Sequence, residues 1–326
     1  MQLNDLSTNK GAEPPCQSPD SDGSAPGAST DGDEGGRSHE KSMLARRWEA
    51  RLALEYGFRD GRSVLTRREH FGPLRVQRNL YPEGHATCHT IIVHPPGGIA
   101  AGDRLSVAAK LGEGSAALLT TPGAGKWYRC LDVAGYEQAG LPRAAQTLDF
   151  SVAAGANLEW LPQESILFDG AVVDMTTRVS LGAGASYLGW DILCFGRTAS
   201  GERYQSGALR TRTEIVSDGV TLWREQGSLR AGEPMFTSPA GLAGRTVSAT
   251  LIAAGRDTPD DVLAQCRAID APDGALAGIT RLPKVLIARW LGDSSEDARH
   301  YFAKVWALLR PGLSGREAQT PRIWAT

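Results

Sequence analysis

From Trp48 onward, apolar and polar positions alternate in short runs. Trp48, Ala50, Leu52 and Leu54 fall on one face at period two, with Glu49 and Arg51 on the other. Leu74-Arg75-Val76-Gln77-Arg78 alternates in the same way after Gly72-Pro73, and the β-branched run Thr90 to His94 stops at Pro95-Pro96-Gly97-Gly98. Runs of this kind, bounded by turn residues, predict β-strands.

Three longer segments share one shape, in which an apolar alternation meets Gly and a small residue and then resumes. They run from Leu105 to Leu119 around Gly114-Ser115, from Leu148 to Leu161 around Gly155-Ala156, and from Val179 to Trp190 around Gly184-Ala185. Gly155 and Gly184 lie 29 positions apart, and an insertion from Pro122 to Pro142 separates the first turn from the second. Strand pairs repeated at that spacing fit a layered β-solenoid, whose layers satisfy each other's backbone. Ordinary hairpins in a β-sandwich fit the same pattern, so the residues alone leave both open.

Two helices are predicted near the C-terminus. Thr258-Pro259-Asp260-Asp261 supplies a cap, a proline and first-turn acids for a helix reaching about Ile269. Ser294-Ser295-Glu296-Asp297 opens a second, with Ala298, Tyr301, Phe302, Val305, Leu308 and Leu309 on one face and Pro311-Gly312 as its stop. The closing Pro321-Arg322-Ile323-Trp324-Ala325-Thr326 is apolar enough to dock.

Composition sharpens this picture. Of 326 residues 38 are Gly, without a collagen period, which suits many short strands and tight turns. Residues 1–42 are rich in Gly, Ser, Pro and Asp and nearly lack large apolar side chains, so a disordered acidic tail is expected there and a single domain over 43–326. Acidic metal buffering is the functional alternative for that tail. Net charge is −2, which gives no general attraction to nucleic acid or membrane. The five cysteines (Cys16, Cys88, Cys130, Cys194 and Cys266) are odd in number and form no C-x-x-C pair, which favours a reducing compartment. With no signal peptide or long apolar run, the expected location is cytoplasmic.

Catalytic patterns fail one after another. Gly123-Ala124-Gly125-Lys126 has Thr120 where a phosphate loop needs its first Gly, and Trp127 where it needs Ser or Thr. His85 and His89 would share one face of a strand, with Cys88 and His94 on the other, so four ligands do not converge. The plainer reading is hydrogen-bonded or exposed histidines. Ser165 lacks the flanking glycines of a nucleophile elbow. Acids are scattered singly (Asp103, Glu159, Glu164, Asp169, Asp174, Asp191 and Glu202), as on a solvated surface, although stacked layers could bring such groups onto an internal polar path. Arg67-Arg68 and Arg75 with Arg78 fit protected strand edges or a protein interface better than nucleic-acid binding.

Seven strings nevertheless resemble one family in order: GPLRVQRNLYPEG from Gly72, HPPGGIAAGDRL from His94, TTPGAGKWYR from Thr120, LEWLPQESILFDGA from Leu158, GWDILCFGR from Gly189, VLIARWLGD from Val285 and the closing PRIWAT. The chain is identified by them as similar to the UreD (UreH) family of urease accessory proteins. The acidic N-terminal extension departs from the family core and inherits nothing from it.

The resemblance implies a mainly β fold: a β-helix-like layered strand body with a small C-terminal helical part. It implies a non-catalytic scaffold that binds urease apoprotein and recruits UreF and, through it, the GTPase UreG, so that nickel enters the urease active site. No tightly bound cofactor is then expected, only nickel in weak transit, because a site that held the ion tightly would stop its transfer. Asp103, Thr120, Thr121, Glu164, Asp169 and Glu202, within or beside the matched strings, are the candidate weak nickel-path residues; turn capping competes with that role at Asp103 and Asp169. Two rivals stand beside this reading. A β-solenoid enzyme acting on polysaccharide would want an export signal and rows of aromatics and carboxylates, and a free-standing nickel store would want tight binding in isolation.

Overall fold

Strand β1 (Glu49–Arg59) uses the alternation as expected, burying Ala50, Leu52, Leu54 and Tyr56. Trp48 departs from that face. It precedes the strand, its backbone N–H is held by Asp103 Oδ1 at 3.0 Å, and its ring stays outside the core, 52% exposed. The computed structural model describes residues 48–130 and 143–325. The expected tail over 1–42 and much of the Pro122–Pro142 insertion lie outside them.

The protein is mainly β, built on two facing sheets. In the first, β2 (Arg62–Phe71), β1, β5 (Arg104–Leu111), β8 (Ala144–Val152), β11 (Val172–Leu181), β13 (Ala208–Ser217) and β14 (Val220–Arg230) lie side by side in that order. In the second, the order is β3 (Arg75–Val76), β4 (Cys88–Val93), β6 (Ala116–Thr120), β9 (Asn157–Trp160), β12 (Ser186–Phe195), β15 (Val247–Ala254), β17 (Val285–Gly292) and β16 (Leu276–Leu282). The short strands β7 (Gly125–Trp127) and β10 (Ser165–Leu167) pair with each other, and β10 also pairs with the end of β12.

The three glycine turns carry the chain from one sheet to the other. Strands β5, β8 and β11 enter them and β6, β9 and β12 leave, and no strand pairs with the one across its own turn. Pairing is instead parallel between successive copies, as in Ser106↔Thr147 and Thr147↔Thr176. The turns also bond to one another, with Gly114 N–H to Ala154 O at 3.1 Å and Gly155 N–H to Ala183 O at 3.0 Å. Gly114, Gly155 and Gly184 all take φ between 64° and 68°, the left-handed region that glycine enters most easily. At the margins the pairing turns antiparallel: β1/β2 and β13/β14 are hairpins on Asp60-Gly61 and Asp218-Gly219, and β15, β17 and β16 extend the second sheet in that spatial order.

One apolar core fills the space between the sheets, including Leu52, Val107, Phe150, Leu158 and Ile287. A second lies on the outer face of the second sheet. There Trp190, Leu251, Leu286 and Trp290 meet Phe302, Val305, Trp306 and Leu309 of the long helix. Each such large side chain contributes roughly 1.5–3 kcal/mol by leaving water.

That helix, α2 (Ser295–Ser314), begins as its sequence predicts, with Ser294 Oγ accepting from Asp297 N–H at 3.1 Å. It does not stop at Pro311. The proline sits inside the last turn, and the end falls at Gly315, which adopts φ 72° and donates to Pro311 O. The shorter helix α1 (Asp260–Arg267) starts one residue later than Thr258 capping would set it, with Pro259 at the cap position. The C-terminal segment docks: Trp324 Nε1–H donates to Thr120 Oγ1 at 2.9 Å, and its ring lies 5.3 Å from Trp190 and 5.9 Å from Trp306.

A candidate functional site between the sheets

The interior is not uniformly apolar. Strand alternation turns Thr177, Thr213 and Glu225 inward from the first sheet, where they are neighbours across β11, β13 and β14. From the second sheet Asp191, Thr250 and Arg289 form a matching row across β12, β15 and β17. Arg289 bridges the two rows, with Nη1 donating to Thr250 Oγ1 at 2.7 Å and Nη2 to Glu225 Oε1 at 2.7 Å. The ion pair is substantially exposed, so its Coulomb energy is small. Its effect is positional, since it joins β14 of one sheet to β17 of the other.

Asp191 also lines a cavity of about 320 Å³. His94, Thr121, Gln146, Gln163 and Ser165 share the wall with Ile92, Ile99 and Trp160, and the exposed Lys126 borders it. The space is large enough for several waters, and the lining supplies polar partners for them. The Asp191 side chain opens onto the cavity, but the protein packed around that space, with the negative charge of Glu225 added, pushes its carboxyl up to about 6. Burial pushes the half-buried His94 down, and the charge of Asp103 offsets part of that. Among the described residues, no group of three His, Cys, Asp or Glu side chains is placed to hold a metal ion.

The six candidates read from the sequence fall into different surroundings. Thr121 lines the cavity and its Oγ1 accepts from Gln163 N–H at 2.9 Å. Thr120, one residue back, is buried; its hydroxyl donates to Leu161 O and accepts from Trp324. Glu164 follows Gln163 of the cavity wall but lies against α2 instead, 3.6 Å from Arg299, and its buried Oε2 takes no hydrogen bond. Asp103 is spent on local backbone, accepting from Trp48 N–H and Ala100 N–H. Asp169 Oδ1 accepts from Gln205 N–H, Ser206 N–H and Ser206 Oγ, and Glu202 is clamped by both arms of Arg197. Of the six, Thr121 alone lines the cavity; Thr120 and Glu164 turn toward Trp324 and Arg299 instead, and Asp169 and Glu202 belong to a loop cluster.

A second polar centre was not legible beforehand. Arg310, 1% exposed, lies between Glu83 and Glu159. Glu159 also accepts from Trp306 Nε1–H at 2.6 Å, and His89 Nε2 lies 2.5 Å from Glu83 Oε1. His89 is therefore hydrogen-bonded, the plainer of its two sequence readings. Cys88 and His94 do face the opposite way from it, into the inter-sheet core and cavity. Gly123–Lys126 forms a turn and the start of β7 at the cavity rim. Cys88, Cys130, Cys194 and Cys266 are buried.

Asp191 did leave a signal. Tyr187, Gly189, Asp191, Leu193 and Phe195 are the inward positions of a strand apolar on both faces, and a carboxylate there breaks the pattern. The belt's other members gave none, because single Thr, Glu and Arg residues in strands are ordinary.

Facing sheets that enclose a hydrophilic belt, with a helix packed over one of them, define the class: a mainly β protein with a polar cavity inside its strand body. The family of UreD urease accessory proteins matches residues 49–325, and the chain belongs to that family. It is 50% identical to a urease accessory protein UreD from Dechloromonas aromatica over 86% of this chain and 95% of that one. It is 48% identical to one from Janthinobacterium sp., over 88% and 95%, and 46% identical to a urease accessory protein UreD 2 from Pseudomonas syringae pv. syringae, over 87% and 98%.

Proposed function

We propose that this protein is a non-catalytic scaffold for urease maturation, acting with UreF and UreG on the urease apoprotein so that nickel reaches the active site. The family match across residues 49–325 carries this reading. Its expected setting is the cytoplasm. In it the parallel strand layers are a β-helix-like body, supported by the in-register pairing of β5, β8 and β11.

The chemistry of the belt supports a role in transfer. A borderline divalent ion moving between proteins needs exclusion from competing ligands and donors weak enough to release it. Isolated carboxylates, amides and hydroxyls around a cavity meet both needs. Thr121, on the cavity wall, is the sequence candidate best disposed to take part; Thr120 and Glu164 are next in sequence to lining residues but contact Trp324 and Arg299. Asp103, Asp169 and Glu202 would have to release their present hydrogen bonds to contribute. Nickel is cargo here, not a resident cofactor.

The test is urease made in cells with and without this protein, its partners held constant. Urease lacking nickel in the absence of the protein is expected. Fully nickel-loaded, active urease at ordinary nickel supply would reject the proposal.

A further inference from the structure

The two sheets do not end together. Counting outward from β11 and β12, β13 lies across from β15 and β14 across from β17, and the Glu225–Arg289 contact fixes the second of these. The second sheet then runs one strand farther, to β16, with no strand of the first sheet opposite. Leu276, Gly278, Thr280 and Leu282 are its inward positions, in register with Leu291, Arg289, Ile287 and Val285. They lie open: Leu276 is 60% and Leu282 41% exposed, and a Cβ added at Gly278 would meet nothing within 4 Å.

Two strand edges border this gap, and they differ. At β16, Arg267 Nε–H donates to Ile279 O at 3.2 Å, which blocks the middle of that edge. β14 pairs only with β13, and from Trp223 to Leu229 its backbone makes no other hydrogen bond among the described residues. Its free edge therefore offers unpaired N–H and C=O groups to an extended chain, and a strand about 4.8 Å beyond β14 would lie beneath β16. The outward positions beside that edge are basic. Arg212 and Arg224 share the Glu214 carboxylate, and Arg210 and Arg230 flank them.

We propose that this open position takes an extended acidic segment of another protein, added to the seven strands of the first sheet as one more. Alternate apolar residues of the segment cover Leu276 and Leu282, and carboxylates at the positions between them meet Arg224 and Arg230. None of these residues lines the cavity, and the docking does not depend on the transfer role proposed above.

The probe is a fluorescent octapeptide of alternating valine and glutamate, titrated by anisotropy into the full-length protein, with the valine–lysine peptide as control. Saturable binding is expected, with Kd lower than for the lysine peptide by about tenfold or more. Gly278→Trp, which fills the gap, and Leu276→Asp should each raise Kd by about tenfold or more. Bound peptide should also slow amide exchange in β14, which a merely sticky apolar patch would not do. No saturation by about 1 mM, equal binding of the two peptides, or unchanged exchange in β14 would overturn the proposal. Should both variants fail to fold, the wild-type exchange measurement decides alone. A dimer in sedimentation, with β14 already protected before peptide is added, would give the position to a second copy of this chain and reject the acidic segment.

Discussion

Arg310 and Glu159, 151 positions apart, meet through two hydrogen bonds of 2.9 Å, from Nε to Oε1 and from Nη2 to Oε2. The contact ties the C-terminal part of α2 to β9 in the middle of the second sheet. Glu83 closes on the same guanidinium from the other side at 2.7 Å. One buried cation thus holds a helix, a strand and a loop together.

Removing that cation leaves two carboxylates buried without their partner. Arg310→Met is expected to destabilise the protein by roughly 3–5 kcal/mol, since breaking a buried pair from one side strands the other charge. Denaturant unfolding of the variant beside wild type measures this. A loss below about 1 kcal/mol would contradict the assignment.

Acid should undo the same cluster. Burial alone would raise the Glu83 carboxyl, but hydrogen bonds and charge from His89 and Arg310 outweigh it and hold the group at about 2. A carboxyl depressed in the folded state contributes stability that is complete above its unfolded value, near 4.3, and is lost as pH falls toward 2. Unfolding free energy should therefore drop between about pH 4.5 and pH 2, and Glu83→Gln should flatten that fall.

Asp191 predicts the opposite slope. Its carboxyl is raised in the folded protein, so its contribution is unfavourable above about pH 6 and disappears once it is protonated in both states, below about pH 3.8. Asp191→Asn should raise the unfolding midpoint at pH 8 and change it little at pH 3.5. An equal shift at both values would show that charge is not the cause.

Two glycines with positive φ should respond differently to alanine. At Gly155 an added Cβ meets nothing within 4 Å, so Gly155→Ala should cost about 1–2 kcal/mol from the left-handed backbone alone. At Gly255 the Cβ would lie 2.2 Å from Ala185 O, which forces the chain to move. Thermal unfolding should place Gly255→Ala well below Gly155→Ala.

The docked tail should matter to stability. Trp324 is only partly buried, so Trp324→Ala should cost about 2 kcal/mol, less than a fully enclosed tryptophan. It should also free the Thr120 hydroxyl, which amide exchange near β6 would register.

Much of the architecture is local and could be read directly. Alternation marked β1, Ser294 marked the start of α2, and Gly114, Gly155 and Gly184 marked the turns, because a dihedral or a cap is set by a few adjacent residues. Pro311 misled for the same reason: a lone proline near a helix end costs little when the following glycine supplies the stop. Of the six path candidates, Thr121 lines the cavity, while Asp103 is bound to the backbone of its own turn and Asp169 to that of the distant Gln205-Ser206 segment.

By itself, then, the chain specified its strands, its turns, its helix start and, through seven ordered strings, its family. Only the tertiary structure decided that the strands flanking each glycine turn belong to different sheets, that Thr177, Thr213 and Glu225 face Asp191, Thr250 and Arg289, and that Arg310 sits between Glu83 and Glu159. Period-two patterning reports which face a residue takes but not which strand lies beside it. Register between distant strands is fixed by the summed packing of the whole core, which no local run of residues contains.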